Sequence, residues 1–251
     1  MTRRRWIADT WTTTTATLTG DQAVHLARVL RAEPGQIYDV VAGGFLHRAE
    51  INRVSENEVH FTLHEELQSD SALPLHLLLA VFKFDHMEWA IEKATELGIA
   101  RITPILARRT EKHLAQSAAK RVERWRRIVL EASKQSRRTT IPEVSDPIQL
   151  KQALDQEISP YRILLSETEQ ALTLTAALED QSRHNPAIHE QTTEDSPITH
   201  ALAIGPEGGW TPEEMSLFKQ QNWLPVTLGP RILRAETAAI AAIAIAATHL
   251  L

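Results

Sequence analysis

Two glycine-containing segments near the end of the chain have the residue types needed to bind a ligand through main-chain groups. The first, residues 205–209, reads Gly-Pro-Glu-Gly-Gly and directly follows the apolar run Ala201–Ile204. The second, residues 228–237, reads Leu-Gly-Pro-Arg-Ile-Leu-Arg-Ala-Glu-Thr. Glycine allows a backbone to approach a ligand closely, and an apolar run before it indicates a buried strand that opens into a loop. Either loop alone is also consistent with a plain structural turn.

The elements around these loops predict an α/β fold with a mostly parallel sheet. Apolar runs alternate with helical patterns, as in sheets that are covered on both faces. The runs lie at 75–82, 102–106, 161–165, 201–204 and 224–228. Because such sheets bind ligands at the carboxyl ends of their strands, the two glycine loops predict a ligand crevice.

Helix boundaries in this part of the chain are marked by capping residues. Thr211, Pro212 and Glu214 predict a helix start with a capping box. Asp85 is expected to cap an earlier helix that Gly98 ends. From Arg234 onward the chain is rich in Ala and Ile on every side, so we expect a last helix that is buried all round.

The first 72 residues have a different, mainly β pattern. Short alternating runs at 37–41 and 45–51 and the Thr-rich run 12–19 are typical of strands, and Thr19 is expected to cap one short helix. These elements predict a small barrel. A polar segment at 65–74 ends in proline, so we predict two domains, residues 1–72 and 73–251.

Composition excludes several classes of protein. The chain has 251 residues, of which 43% are hydrophobic and 24% charged, as in ordinary globular proteins. It has no cysteine, which excludes disulfides and thiolate chemistry. No run reaches the ~18 apolar residues of a membrane span, and the start lacks the apolar core of a signal peptide. We therefore expect a cytoplasmic protein with no membrane partner.

Sequence motifs narrow the choice of ligand. The dinucleotide fingerprint and the phosphate-binding loop are both absent. The eleven histidines lack a recognised metal spacing, so we expect no bound metal.

Charge is unevenly distributed along the chain. The formal net charge is −5, but residues 101–138 contain twelve Lys and Arg against three Glu, and residues 167–195 contain seven acids against one Arg. A localised basic segment is typical of a phosphate-binding face, and a solvated helix face is the alternative. The acidic, polar stretch 179–197 is expected to be a mobile loop.

The two glycine loops together, about twenty residues apart, resemble those of the ribosomal RNA small subunit methyltransferase E family. These enzymes belong to the SPOUT class and use S-adenosylmethionine. Further segments at 25–31, 83–98 and 131–138 are similar to family motifs. Val24 and Arg108 depart from the family pattern, in which a histidine and an acid are common at those two positions. The departure at Arg108 leaves any salt bridge there in doubt.

The resemblance implies a fold and an activity. The fold is a SPOUT-type parallel sheet with a C-terminal trefoil knot and a PUA-like N-terminal barrel that binds RNA. The activity is methylation of N3 of uridine 1498 in 16S ribosomal RNA of the small subunit, with S-adenosylmethionine as the methyl donor. It also implies a homodimer formed through the knotted region, although a monomer core explains the apolar last helix nearly as well.

The resemblance also assigns residues to roles. The cofactor is expected to contact Leu165, Ser166, Glu167, Ile204, Gly205, Gly208, Gly209, Leu228, Gly229, Ile232 and Leu233. The candidate catalytic residues are Arg231 and Arg234, which would stabilise an anionic uracil, and Glu207, as a base or orienting group. A salt bridge from Arg234 to Glu236, and capping of nearby amides by Glu207, are the structural alternatives. The expected RNA contacts are Arg4, Arg5, Arg28, Arg31, Lys83, Arg109, Arg137 and Arg138.

Two other functions remain open from sequence. One is a SPOUT enzyme that methylates another base or a ribose hydroxyl. The other is a non-catalytic RNA-binding or ribosome-assembly protein with a vestigial cofactor pocket.

Overall fold

The computed structural model describes residues 5–67, 72–136, 138–184 and 198–250. The chain divides into two compact units. One comprises Met1–Ser71 together with Ser133–Ile141, and the other comprises Ala72–Ala132 and Pro142–Leu251. Sequence reasoning did not predict that residues 133–141 group with the first seventy.

A six-stranded sheet forms most of the first unit. Its strands are β1 (Arg5–Ile7), β2 (Thr10–Trp11), β3 (Thr15–Thr19), β4 (Ile37–Ala42), β5 (Phe45–Val54) and β6 (Glu58–Leu67). Their spatial order is β1-β4-β5-β6-β3-β2. All neighbouring pairs are antiparallel except β1 and β4, which are parallel.

The sheet is curled because one stretch of chain bonds to both of its ends. Between β1 and β2, the Ala8 amide donates to the Val41 carbonyl at 2.8 Å, and the Asp9 amide donates to the Thr17 carbonyl at 3.0 Å. A buried core with Trp6 and Phe61 fills the concave side. Helix α1 (Gly20–Val24) and a π turn (His25–Val29) follow β3.

The start of α1 is not capped by Thr19 as the sequence predicted. The Thr19 side chain makes no capping hydrogen bond. Instead, the Thr19 amide donates to the Asp9 carboxylate at 2.7 Å, so Asp9 ties the helix start to the curled sheet.

The second unit alternates strands and helices, as predicted. Its strands are β7 (Leu73–Ala80), β8 (Ile99–Leu106), β9 (Glu143–Val144), β10 (Ile148–Gln149), β11 (Tyr161–Leu165), β12 (His200–Ile204) and β13 (Leu224–Val226). Its helices are α2 (Phe84–Glu96), α3 (Lys112–Ser117), α4 (Val122–Gln135), α5 (Leu150–Gln156), α6 (Leu174–His184), α7 (Pro212–Gln220) and α8 (Ala235–Leu250), with a 3₁₀ turn at Ala118–Arg121.

All strand pairs in this unit are parallel, which confirms the predicted α/β class. The spatial order is β10-β8-β7-β12-β11-β13, and β9 also pairs with β8. One apolar cluster packs residues of α2, α4, α6 and α8 against one face of the sheet. A second cluster packs α5 and α7 against the other face, so helices cover both sides of the central strands.

Capping predictions in this unit have mixed outcomes. The Thr211 hydroxyl accepts from the Glu214 amide, and the Glu214 carboxylate accepts from the Thr211 amide, which confirms the capping box of α7. Gly98 follows the end of α2 with a φ of +99°. Asp85, however, does not cap α2. Lys83 occupies the N-cap, and Asp85 lies in the first turn, where the helix dipole favours a negative charge.

Two other predictions need correction. The acidic stretch that was expected to be a loop from Glu179 is helical as far as His184, and its remainder lies outside the described residues. Helix α8 is not buried all round in the single chain. Its face with Ala239, Ala242 and Ile243 is buried, while Ile240, Ala244 and Ala247 are only half-buried.

Candidate active site

Three loops of the second unit enclose a cavity of about 1280 Å³. They follow the carboxyl ends of β12, β11 and β13, which are neighbours in the sheet with β11 in the middle. Because parallel strands end at the same edge, this order brings together segments that are far apart in sequence. The predicted ligand crevice is therefore present between the two glycine loops.

Most of the predicted cofactor contacts line this cavity. They are Leu165, Ser166, Glu167, Ile204, Gly205, Gly209, Leu228, Gly229, Ile232 and Leu233. Gly208 belongs to the same loop, but it is not among the lining residues. The candidate catalytic residues Arg231, Arg234 and Glu207 also line the cavity.

The loop after β12 is shaped by its glycines. Gly209 has a φ of +69°, and its amide donates to the Pro206 carbonyl at 2.8 Å to close a tight turn. A Cβ on Gly205 would lie 3.1 Å from the indole nitrogen of Trp210. That nitrogen donates to the Leu165 carbonyl at 3.3 Å. Trp210 therefore fastens this loop to the end of β11, and a side chain at position 205 would crowd the ring.

Arg109 holds the same loop from the other side. Its guanidinium donates to the carbonyls of Gly208 and Trp210. A Cβ on Gly208 would lie 3.3 Å from the Arg109 Cδ atom. Sequence reasoning assigned Arg109 to RNA and missed this contact with the loop, because the two segments are about a hundred residues apart.

The loop after β13 combines one fixed turn with an exposed tip. The Thr227 hydroxyl accepts from the Gly229 amide at 3.2 Å and lies 3.1 Å from the Gly229 carbonyl, to which it donates. Gly229 has a φ of +111°. Beyond it, Ile232 is 83% exposed, while Leu228 and Leu233 are half-buried. The two leucines and Ile232 give this loop an apolar surface on the cavity.

The loop after β11 carries a carboxylate held by main-chain amides. The Glu169 side chain accepts hydrogen bonds from the amides of Leu172 and Ala171, at 3.0 and 2.8 Å. These bonds favour the charged form and hold the pKa of Glu169 below its usual value. This fixes the turn that leads from the cavity wall to α6.

Arg234 does not form the salt bridge with Glu236 that was considered as its structural role. The Glu236 Oε1 atom lies 3.3 Å from His86 Nδ1 instead, and Glu236 is buried. The Arg234 side chain is exposed and lines the cavity, while its carbonyl accepts from the Ala238 amide at the start of α8. The guanidinium is thus available to a ligand.

His86 is a cavity residue to which sequence reasoning gave no role. It lines the cavity together with Lys83, one turn apart at the start of α2. The signals in the sequence were its position just after an apolar strand and its place in the segment 83–98, which is similar to a family motif.

The remaining predicted RNA contacts have varied surroundings. Arg28 lies 3.5 Å from Glu56 on the first unit, and Arg31 is exposed with a φ of +51°. Arg5 lies on β1. Arg138 donates to the Thr140 carbonyl, and burial lowers the pKa of Arg138 to about 10. Arg4 and Arg137 lie outside the described residues.

Much of the basic segment is neutralised within the chain. Arg124 donates two hydrogen bonds of 2.6 Å to Glu88, and Arg126 pairs with Glu123 and Asp146. Arg101 pairs with Glu143 at 2.9 Å. The count of basic residues therefore overstates the positive charge that this segment offers to a phosphate.

The described residues contain neither a metal-binding cluster nor a membrane-spanning helix. No group of three or more His, Asp or Glu residues there has a geometry that could hold a metal ion. None of the helices within the described ranges combines the length and apolar character needed to cross a bilayer.

Comparison with known proteins identifies the family. Residues 69–247 match the model of the RNA methyltransferase domain. The chain is 35% identical over 232 residues to ribosomal RNA small subunit methyltransferase E of Synechocystis, covering 92% of this chain and 72% of the relative. It is 31% identical over 238 residues to the Bacillus subtilis enzyme of the same name, covering 91% of this chain and 88% of that relative.

A solved structure extends this likeness to the three-dimensional fold. The Neisseria gonorrhoeae enzyme of the same name, bound to S-adenosylmethionine, superposes with a TM-score of 0.77 at 28% identity. The likeness covers 98% of both chains. This chain therefore belongs to the ribosomal RNA small subunit methyltransferase E family.

Proposed function

We propose that this protein transfers a methyl group from S-adenosylmethionine to N3 of a uridine in 16S ribosomal RNA, at position 1498. The observation that carries the proposal is the cavity at the ends of β12, β11 and β13, which joins a glycine backbone to two exposed arginines. Family membership and relatives named for small-subunit ribosomal RNA methylation support it.

The residues around the cavity fit S-adenosylmethionine. Main-chain groups of the loops at 165–167, 204–209 and 228–233 would hold the cofactor, and the apolar surface of Leu228, Ile232 and Leu233 suits its flat adenine. When bound, the cofactor supplies an electrophilic methyl group on a positively charged sulfur. Glycines at 205 and 209 let the backbone approach such a ligand closely.

The protein itself would align the two reactants and stabilise the negative charge that forms on the uracil ring. N3 must lose its proton before it can accept a methyl group, which leaves negative charge on the uracil ring. Arg231 and Arg234, which line the cavity, would stabilise that charge, and pre-positioned donors of this kind are effective because they need no reorganisation. Holding the two reactants in line contributes a further ~7–11 kcal/mol of barrier lowering.

The wider assignment follows from the same proposal. Residues 1–72 would form a PUA-like barrel that presents RNA to the catalytic domain at 73–251, with Arg4, Arg5, Arg28, Arg31, Lys83, Arg109, Arg137 and Arg138 as phosphate contacts. The C-terminal region would form a trefoil knot and the interface of a homodimer. The return of the chain from β13 at one edge to α8, which packs on β7 and β12 near the sheet centre, supports the knot. Ribosomal RNA as substrate places the protein in the cytoplasm.

A methylation assay on small subunits that lack this modification tests the proposal. Wild-type protein with labelled S-adenosylmethionine should produce 3-methyluridine, identified by mass spectrometry of nucleosides. Arg234→Ala should lower the rate by about 10²–10³-fold, as for loss of one donor to a developing anion, while cofactor affinity measured by calorimetry stays within a few-fold.

Other outcomes would identify the alternatives. A methyl group on a ribose or another base would indicate a different target. Absence of S-adenosylmethionine binding by the folded protein would favour a non-catalytic RNA-binding role.

A further inference from the structure

A histidine with a buried carboxylate behind it lies on the wall of the cavity. His86, in the first turn of α2, lines the cavity, and its Nδ1 atom is inaccessible to solvent. That atom lies 3.3 Å from Oε1 of Glu236, in the first turn of α8, close enough for an ionic contact but without hydrogen-bond geometry. The arrangement therefore joins two elements that are 150 residues apart in sequence.

Glu236 is a buried carboxylate. It is 3% exposed, and its Oε2 atom has no hydrogen-bond partner among the described residues. Burial of a carboxylate with an unsatisfied oxygen is costly. The start of α8 offsets part of that cost, because a helix N-terminus stabilises negative charge. A carboxylate maintained in this way acts on the imidazole through its negative charge.

The contact also determines which imidazole nitrogen is free. The negative charge of a carboxylate that faces Nδ1 favours a proton on Nδ1 over one on Nε2, and this sets the tautomer. Nε2 then carries the lone pair that can accept a proton. The nearest acidic group to Nε2 is the exposed Asp85 carboxylate, at 3.9 Å.

We propose that His86 is the general base that removes the N3 proton of the target uridine, with Glu236 as the residue that positions it. This inference rests on the proposed function. The N3–H bond breaks as an N–H bond forms at Nε2 of His86. The electron pair on N3 then forms the bond to the methyl carbon, and the carbon–sulfur pair remains on sulfur. The products are 3-methyluridine, S-adenosylhomocysteine and an imidazolium, which releases its proton to water.

The charges around His86 suit this role. Lys83 and Arg234 line the same cavity and favour an anionic uracil over a neutral one. Glu207, the base considered from sequence, also lines the cavity, but it is exposed and a carboxylate is a weaker base than an imidazole. Asp85 and Glu236 are the two acids near the ring, and both favour its protonated product.

The test is the pH dependence of methylation by wild type, His86→Gln and His113→Gln. His113 is a matched control because it also lies beside a glutamate, Glu111 at 3.5 Å, yet its side chain is 72% exposed and does not line the cavity. We expect His86→Gln to lower kcat by about 10²-fold at neutral pH. The wild-type rate should fall with acid as the imidazole gains a proton, and this inflection should be absent from His86→Gln, whose rate should keep rising with pH.

Glu236→Gln provides a second readout. Loss of the negative charge disfavours the imidazolium, so the acid inflection should move to lower pH while cofactor affinity stays within a few-fold. Wild-type kcat and an unchanged pH profile in His86→Gln would overturn the inference while leaving the proposed function intact. A wild-type protein that forms no 3-methyluridine would instead overturn the proposed function itself.

Discussion

Individual residues of the candidate site are constrained by backbone geometry as much as by chemistry. Gly209 closes its turn at a φ of +69°, and Arg109 braces the neighbouring carbonyls. The glycines were identifiable from sequence, since an apolar run leads directly into them. The contacts of Arg109, Trp210 and His86 were not, because each depends on which strands become neighbours in the sheet.

Gly209→Ala should weaken cofactor binding. A side chain at this φ is strained by about 1–2 kcal/mol, and a Cβ would lie 3.6 Å from the Glu167 carboxylate at the cavity wall. We expect a measurable fall in S-adenosylmethionine affinity by calorimetry, with the turn shifted to relieve the strain.

Gly35→Ala is the matched control for this change. Gly35 lies in the first unit and has a φ of +87°, and an alanine Cβ at this position would have open space around it. Gly35→Ala should lower the free energy of unfolding by a similar amount without changing the affinity for S-adenosylmethionine. Equal affinities of the two variants would argue against a role for the Gly209 turn in binding.

Among the helices and strands, the sequence correctly predicted the features that depend on contacts between residues close together in the chain. The capping box of α7 and the strand Tyr161–Leu165 match the structure closely. Predictions failed where tertiary contacts decide the outcome. The first strand of the second unit begins at Leu73 rather than Leu75, and the edge strand beside β8 is broken into β9 and β10, for which the sequence has no periodic signal.

A buried contact between His76 and Glu157 ties β7 to the chain just after α5. His76 on β7 contacts the Glu157 carboxylate at 2.6 Å and Thr103 on β8 at 2.8 Å. Burial by itself raises the pKa of Glu157, but the hydrogen bond and charge of His76, together with hydrogen bonds from Ser159, outweigh it and lower the pKa to about 2.

This lowered pKa predicts acid-dependent stability. A carboxylate with a depressed native pKa contributes stability above its unfolded value of 4.5 and loses it as the pH falls towards 2. Glu157→Gln should therefore lower the free energy of unfolding by up to about 3 kcal/mol at pH 7 and by progressively less below pH 4.5. Urea denaturation at several pH values measures this difference.

The control is Glu143→Gln. The Glu143 side chain is 61% exposed beside Arg101, so this substitution should change the free energy of unfolding little. A pH-independent loss in Glu157→Gln would contradict this account.

For the whole molecule, the sequence predicted the parallel α/β sheet of the second unit, the mainly β character of the first unit and the position of the cavity. It could not assign Ser133–Ile141 to the first unit, because that grouping depends on contacts between distant segments. It also overestimated the free charge of residues 101–138, since Glu88, Asp146 and Glu143 pair with arginines of that segment from elsewhere in the chain. A count of charges along a sequence does not reveal which of them are neutralised on folding.

The half-buried face of α8 is relevant to the association of two copies of this chain. Ile240, Ala244 and Ala247 lie on one side of a helix that has no charged residue from Thr237 to Thr248. An apolar helix face that one chain leaves partly uncovered is typical of an interface between subunits, so a homodimer would bury it.

Ala244→Lys should then shift the protein from dimer to monomer in sedimentation equilibrium, because a charge would be buried at the interface. Gln220→Lys on the exposed end of α7 adds the same charge elsewhere and should leave the dimer intact. A wild-type protein that is monomeric at micromolar concentration, or a dimer that survives Ala244→Lys unchanged, would exclude this face as the interface.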